Sequence, residues 1–222
     1  MSALLFDMDG TVIDSEPLWL ESEIEIMTSL GFHWDAQDQL NCLGGPMDRT
    51  EKYMQERSGH IKPYGYFRDS LHEIMQEKLV SKLQLIPNAL ELILESRRFG
   101  LKTALVTASG RDLMNIALKK FPEGCFDARV SRDDVTNTKP NPEPYIRAAS
   151  LLNVDITKCI VFEDSQTGVQ SGLEAGAQVI GIPHMIELIP HSNLRVVNSL
   201  SDISFEKLLS WYPALQENNS ND

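Results

Sequence analysis

Short, unbroken apolar runs recur along the chain. The first, Ala3–Phe6, stops abruptly at Asp7; others fall at 103–106, 159–162 and 178–182, with weaker ones at 126–130 and 194–197. A run of four or five apolar residues without polar alternation predicts a strand covered on both faces, as in a parallel sheet. Helical patterns separate most of these runs. In Ala89–Arg98, Leu90, Ile93 and Leu94 share one face, Pro87 precedes the first turn, Arg97 and Arg98 fill the last, and Gly100 closes it. Strand and helix in alternation predict an α/β fold with a doubly wound parallel sheet, whose ligands bind at the carboxyl ends of the strands.

Residues 15–82 interrupt that alternation with consecutive helices and no strand. They read as an inserted all-helical domain, leaving 1–14 and 83–222 as the α/β core. Its first helix is expected to start at Ser15, with Glu16 and Pro17 in the first turn, Ile24, Met27 and Leu30 on the packed face and Gly31 as the stop. Its last helix spaces Phe67, Leu71, Ile74, Met75 and Leu79 three and four apart, an amphipathic stripe for core packing. The break at 41–46 (N-C-L-G-G-P) predicts a turn at Gly44 and Gly45 that is mobile or approached closely. The polar tail 216–222 is expected to fray.

Composition narrows the function classes. The 222 residues are 42% hydrophobic, and no apolar run approaches the roughly 20 residues that span a bilayer. Thirty-two acidic against 20 basic residues give a formal charge of -12, and no basic cluster offsets it, so nucleic acid is not an expected partner. Net charge does not exclude a small anionic substrate, because a bound metal ion and one or two placed cations set the local field. Cys42, Cys125 and Cys159 are odd in number and widely spaced, which predicts inert thiols rather than disulfides or a zinc site. His33, His60, His72, His184 and His191 have no metal-ligand spacing and read as structural or surface residues. The N-terminus carries no secretory pattern, so the cytoplasm is the expected compartment. Nothing in the pattern demands a partner chain, and a monomer is expected.

Four motifs carry chemistry. Asp7-Met8-Asp9-Gly10-Thr11 follows the first strand, and residues two apart in extended backbone face the same side, so both carboxylates can serve one site. One can attack phosphorus; the other can protonate the leaving oxygen and later deprotonate water. Taken alone the pentapeptide is equally compatible with a turn, while Gly10 comes too early for a calcium loop. Thr107-Ala108-Ser109-Gly110 ends the second strong strand, where a hydroxyl and backbone N–H groups can cradle a phosphate, or simply cap a helix. Lys139 in Lys139-Pro140-Asn141-Pro142 can hold a phosphate and offset the nucleophile's charge, or sit on the surface beside a turn. Glu163 and Asp164, in Phe162-Glu163-Asp164-Ser165, supply hard oxygen ligands suited to Mg²⁺, or acids favoured at a helix N-terminus. A shared site accounts for all four at once. A carboxylate attacking a phosphate brings two anions together, and a metal and a cation offset that repulsion.

The ordered set D-x-D-G-T, T-A-S, K-P-x-P and F-E-D-S, from Leu4 to about Ile182, resembles the haloacid dehalogenase-like superfamily. The segments 87–109 and 168–176 resemble its sugar-phosphatase and β-phosphoglucomutase subgroup. The resemblance implies a Rossmann-like core with a helical cap at 15–82. It implies Asp7 as nucleophile and Mg²⁺ ligand, and Asp9 as general acid/base that also binds the metal through its backbone carbonyl. Gly10, Thr107, Ala108, Ser109 and Lys139 would bind the phosphate, and Asp164 with Glu163 would complete the metal site. The expected substrate is a small phosphorylated metabolite, a sugar or sugar-alcohol phosphate. The mutase pattern has a histidine where this chain has Trp19, and a lysine and arginine where it has Leu43 and Met47, although Arg49 could substitute. The segment 14–19 resembles hexose- and hexitol-phosphate phosphatases, which favours hydrolysis over transfer between sugar hydroxyls. A phosphorylatable signalling module would be shorter, uncapped, and without a late acidic pair.

Overall fold

The computed structural model describes residues 2–42, 46–183 and 187–215. Six parallel strands form one sheet in the order β3-β2-β1-β4-β5-β6. They are β1 (Ala3–Phe6), β2 (Lys102–Val106), β3 (Ala128–Val130), β4 (Cys159–Glu163), β5 (Gln178–Gly181) and β6 (Leu194–Val196). The strand order is that of a doubly wound Rossmann-like sheet, in which connections leave the central strand toward both edges. All four residues of β1 and all five of β4 are buried, which is why both run apolar without alternation as far as Phe6 and Phe162. The strands align Phe6 with Leu105 on one side and Phe162 on the other, and the Phe6 and Phe162 rings stack at 4.7 Å. The three polar strand ends therefore emerge at one level.

Between these strands lie α5 to α8, with α9 closing the chain; to keep chain order, the helices are α1 (Glu16–Ser29), α2 (Ala36–Leu40), α3 (Met47–Arg57), α4 (Tyr66–Lys82), α5 (Ala89–Arg98), α6 (Arg111–Leu118), α7 (Glu143–Leu151), α8 (Gln166–Glu174) and α9 (Phe205–Trp211). The chain divides into two compact units, one of residues 1–13 with 85–222 and one of residues 14–84. In the first, Tyr145, Ala148 and Val169 of α7 and α8 pack with Leu5, Val106 and Val161 of the sheet.

The second unit contains α1 to α4, with a core of Ile26, Met27, Trp34, Met54, Phe67 and Leu71. The α4 stripe packs as spaced, through Phe67, Leu71, Met75 and Leu79. On α1, Met27 and Leu30 pack in the core as expected, whereas Ile24 is 37% exposed and Leu18, Ser22, Glu23 and Ile26 complete the buried face. Two polar side chains take inside positions there because each finds a partner. Ser22 Oγ–H donates to the Leu18 carbonyl at 2.7 Å, and Trp34 Nε1–H donates to Glu23 Oε2 at 3.0 Å. Ser15 precedes α1 without a side-chain capping bond.

Cys42, Cys125 and Cys159 are buried free thiols. Among the described residues no helix is long and apolar enough to cross a membrane. Leu43, the Gly44–Gly45 turn, His184 and the tail 216–222 lie outside the described residues.

Candidate active site

β1, β2 and β4 end side by side, and each hands on a polar residue. Asp7 N–H continues the sheet by donating to the Phe162 carbonyl at 3.0 Å, and Thr107 N–H donates to the Val130 carbonyl at 2.8 Å. The backbone from which each side chain leaves is thus fixed by sheet pairing. Asp7 is 6% exposed and Thr107 2%.

Lys139 arrives from the loop before α7 and is 5% exposed, not a surface side chain. Its ammonium donates to Asp7 Oδ1 at 2.5 Å, Glu163 Oε1 at 2.7 Å and the Val106 carbonyl at 2.9 Å. Burial is the largest influence on Asp7 and pushes its carboxyl up to about 8; Lys139 opposes this, while Glu163 and Asp9 add to it. Burial works against the lysine's charge too, but the two carboxylates outweigh it and hold Lys139 above its ordinary value. The site is therefore rich in negative charge for one cation.

Asp7, Glu163 and Asp164 each offer a carboxylate oxygen within 4.8 Å of the others. Three carboxylate oxygens gathered in this way could hold a metal ion, and hard oxygen ligands are the kind that magnesium takes. The loop makes room for this cluster. Gly10 has φ +76°, and a Cβ there would fall on the Asp164 carboxylate. Thr11 Oγ1–H donates to Asp164 Oδ1 at 3.4 Å.

Asp9 faces the second motif. Its Oδ2 accepts from Ser109 Oγ–H at 2.8 Å and Thr107 Oγ1–H at 3.2 Å, and Ser109 N–H donates to Thr107 Oγ1 at 2.9 Å. Neither hydroxyl caps the following helix. α6 begins after Gly110, and the Arg111 N–H is taken by Asp133 Oδ2 at 2.8 Å. Ala108 is exposed between them. Asp7, Asp9, Gly10, Thr107, Ser109, Lys139, Glu163 and Asp164 thus meet at one end of the sheet, whereas Arg49 is an exposed residue of α3 in the other unit.

Sequence reasoning missed two residues. Tyr145, fully buried on α7, donates its hydroxyl to Glu163 Oε1 at 2.6 Å; burial and the adjacent Glu163 push this phenol well above its ordinary value. Gly168 leaves space for the same carboxylate, because a Cβ there would lie within it. Tyr145 reads as one more apolar-face residue of a helix, and nothing in its spacing announces that its hydroxyl points at an acid.

A family model described as haloacid dehalogenase-like hydrolase matches residues 4–182. Hexitol phosphatase B of Escherichia coli (strain K12) is 31% identical over 188 residues, covering 82% of this chain and 83% of that protein. A phosphorylated carbohydrates phosphatase of Thermotoga maritima is 29% identical, over 84% of this chain and 87% of its own. Among solved structures, a candidate β-phosphoglucomutase from Bacteroides vulgatus superposes with a TM-score of 0.73 at 29% identity, covering 98% of this chain and 89% of that one.

Proposed function

The chain belongs to the haloacid dehalogenase-like hydrolase family, and we propose that it is a Mg²⁺-dependent phosphatase of a small phosphorylated metabolite, a sugar or sugar-alcohol phosphate. The observation that carries this reading is Asp7, buried at the end of the central strand with Lys139 on one oxygen and Glu163 and Asp164 beside it.

In this reading an Asp7 oxygen attacks phosphorus, the ester oxygen leaves, and an aspartyl-phosphate forms. Asp9 gives its proton to the leaving oxygen and then takes one from the water that resolves the intermediate. Lys139 and the Thr107 and Ser109 hydroxyls hold the phosphoryl oxygens, with Gly10 and the Ala108 backbone beside them. Asp7, Asp164, Glu163 and the Asp9 carbonyl would hold Mg²⁺, which supplies positive charge against the meeting of carboxylate and phosphate. The role proposed for the helical unit, residues 14–84, is substrate selection, as the resemblance to capped phosphatases implies. The named substrates of the hexitol and carbohydrate phosphatases support a sugar-phosphate class.

Release of phosphate from an aryl phosphate, and then from a panel of sugar and hexitol phosphates, tests the proposal. Turnover is expected to require Mg²⁺ and to fall by at least about a thousandfold in Asp7→Asn. A purified, folded protein inactive across the panel would sink it.

A further inference from the structure

The ammonium of Lys139 has three protons, and three acceptors already take them: Asp7 Oδ1, Glu163 Oε1 and the Val106 carbonyl. For Lys139 to hold a phosphoryl oxygen, as the phosphatase reading requires, one of those bonds must be given up. The Val106 carbonyl is part of the strand frame, and Asp7 is the attacking group. Glu163 is the acceptor that has other donors.

Those donors are arranged around it. Tyr145 O–H lies 2.6 Å from Glu163 Oε1, the same oxygen that accepts from Lys139, and Ser165 Oγ–H lies 3.1 Å from Oε2. Glu163 and Tyr145 are both fully buried, so an Oε1 left by Lys139 could not turn to solvent. Gly168 leaves the carboxylate room. Losing a partner inside a low-dielectric site costs the full desolvation of the group, unless a second donor stays.

We propose that Tyr145 is a positioning residue: its hydroxyl keeps Glu163 partnered when Lys139 turns a proton from Glu163 to the phosphoryl group. It acts through Glu163 and Lys139 and does not touch the substrate. Without it, Lys139 is the only donor on Oε1, and Glu163 holds the ammonium away from phosphate. The inference rests on Lys139 being a phosphate ligand, and so on the phosphatase reading.

The test is binding of inorganic phosphate, by calorimetry in the presence of Mg²⁺, to the wild type and to Tyr145→Phe. The phenylalanine keeps the buried ring and removes only the hydroxyl. Phosphate is expected to bind about tenfold more weakly to the variant, the scale of one hydrogen bond to a charged group, with thermal stability in phosphate-free buffer changed far less. Equal phosphate affinity overturns the proposal. A tenfold loss accompanied by an equal loss of metal affinity overturns it as well, since a general disturbance of the site would do that. A wild type that neither binds phosphate nor hydrolyses phosphate esters would instead overturn the phosphatase reading. Should Tyr145→Phe not fold, ¹³Cζ-tyrosine labelling of the wild type decides: phosphate is expected to shift the Tyr145 resonance as its hydroxyl becomes the only donor on Glu163 Oε1, and an unmoved resonance counts against the proposal.

Discussion

Lys139 Nζ lies 2.5 Å from Asp7 Oδ1 and 2.7 Å from Glu163 Oε1, with all three side chains buried. One cation thus stands between two carboxylates that share no access to bulk water. Attraction at this range repays the desolvation of the ions only while the set is complete. Lys139→Ala is accordingly expected to destabilise the metal-free protein by about 3–5 kcal/mol, the cost of leaving buried charge uncompensated. If the cluster binds Mg²⁺ as proposed, the ion replaces the missing positive charge and should raise the melting temperature of the variant by more than that of the wild type. Thermal unfolding of both proteins with and without Mg²⁺ measures this. A variant as stable as the wild type without metal would contradict the charge balance described for the site.

Gly10 makes a second prediction about the same cluster. Its φ of +76° and the overlap that a Cβ would make with the Asp164 carboxylate mean that alanine must displace one of the two. In the phosphatase reading a displaced Asp164 is a misplaced metal ligand. Gly10→Ala is expected to weaken Mg²⁺ binding by about 10- to 100-fold, the usual range when the support of a ligand is removed, while the helical unit stays folded. Calorimetric titration with Mg²⁺ reads the first effect and circular dichroism the second. Unchanged metal affinity would mean that Asp164 does not bind the ion.

The strands and the four motifs were legible in the sequence because each depends on local pattern. A strand buried on both faces has to be apolar throughout, and the polar residue ending it is conspicuous, as at Phe6-Asp7 and Phe162-Glu163. Lys139 was legible as chemistry but not as burial, since only the fold shows that its ammonium is enclosed by three strand ends. Tyr145 was not legible at all: a tyrosine on a packed helix face looks the same whether or not its hydroxyl meets a carboxylate. On α1 the spacing found Met27 and Leu30 but missed the polar part of the packed face, for a related reason. Hydrophobic spacing cannot anticipate that Glu23 and Ser22 go inside, because what admits them is Trp34, eleven residues away from Glu23, and a backbone carbonyl.

That buried glutamate gives a pH dependence. Burial pushes Glu23 up to about 7, against the hydrogen bond from Trp34 and aided by Asp38. Its folded value lies above the unfolded one, so the folded protein binds this proton more readily. The stabilisation is fully present below about pH 4.5 and is lost as pH rises to about 7. The slope is worth at most about 3 kcal/mol across that window. Glu23→Gln keeps an acceptor for Trp34 and cannot ionise, so its stability should lose this component of the slope. Denaturant unfolding at pH 5, 6, 7 and 8 compares the two proteins; parallel curves would remove Glu23 as the cause.

In the phosphatase reading Asp7 carries a phosphoryl group that an acceptor must take. Water and a second sugar hydroxyl compete for it, and the winner depends on which acceptor is positioned and deprotonated. The resemblance places a histidine of the mutases where this chain has Trp19, and here the indole is partly buried against the core of the helical unit. An indole can donate its N–H but cannot take a proton from an incoming hydroxyl. Transfer to water should therefore exceed transfer to sugar. With β-glucose 1-phosphate and a hexose bisphosphate activator, inorganic phosphate is expected to appear faster than the isomeric 6-phosphate, and both should disappear in Asp7→Asn. Isomerisation that outruns hydrolysis would reassign the protein to phosphoryl transfer between sugar hydroxyls, leaving the role of Asp7 intact and changing only its acceptor.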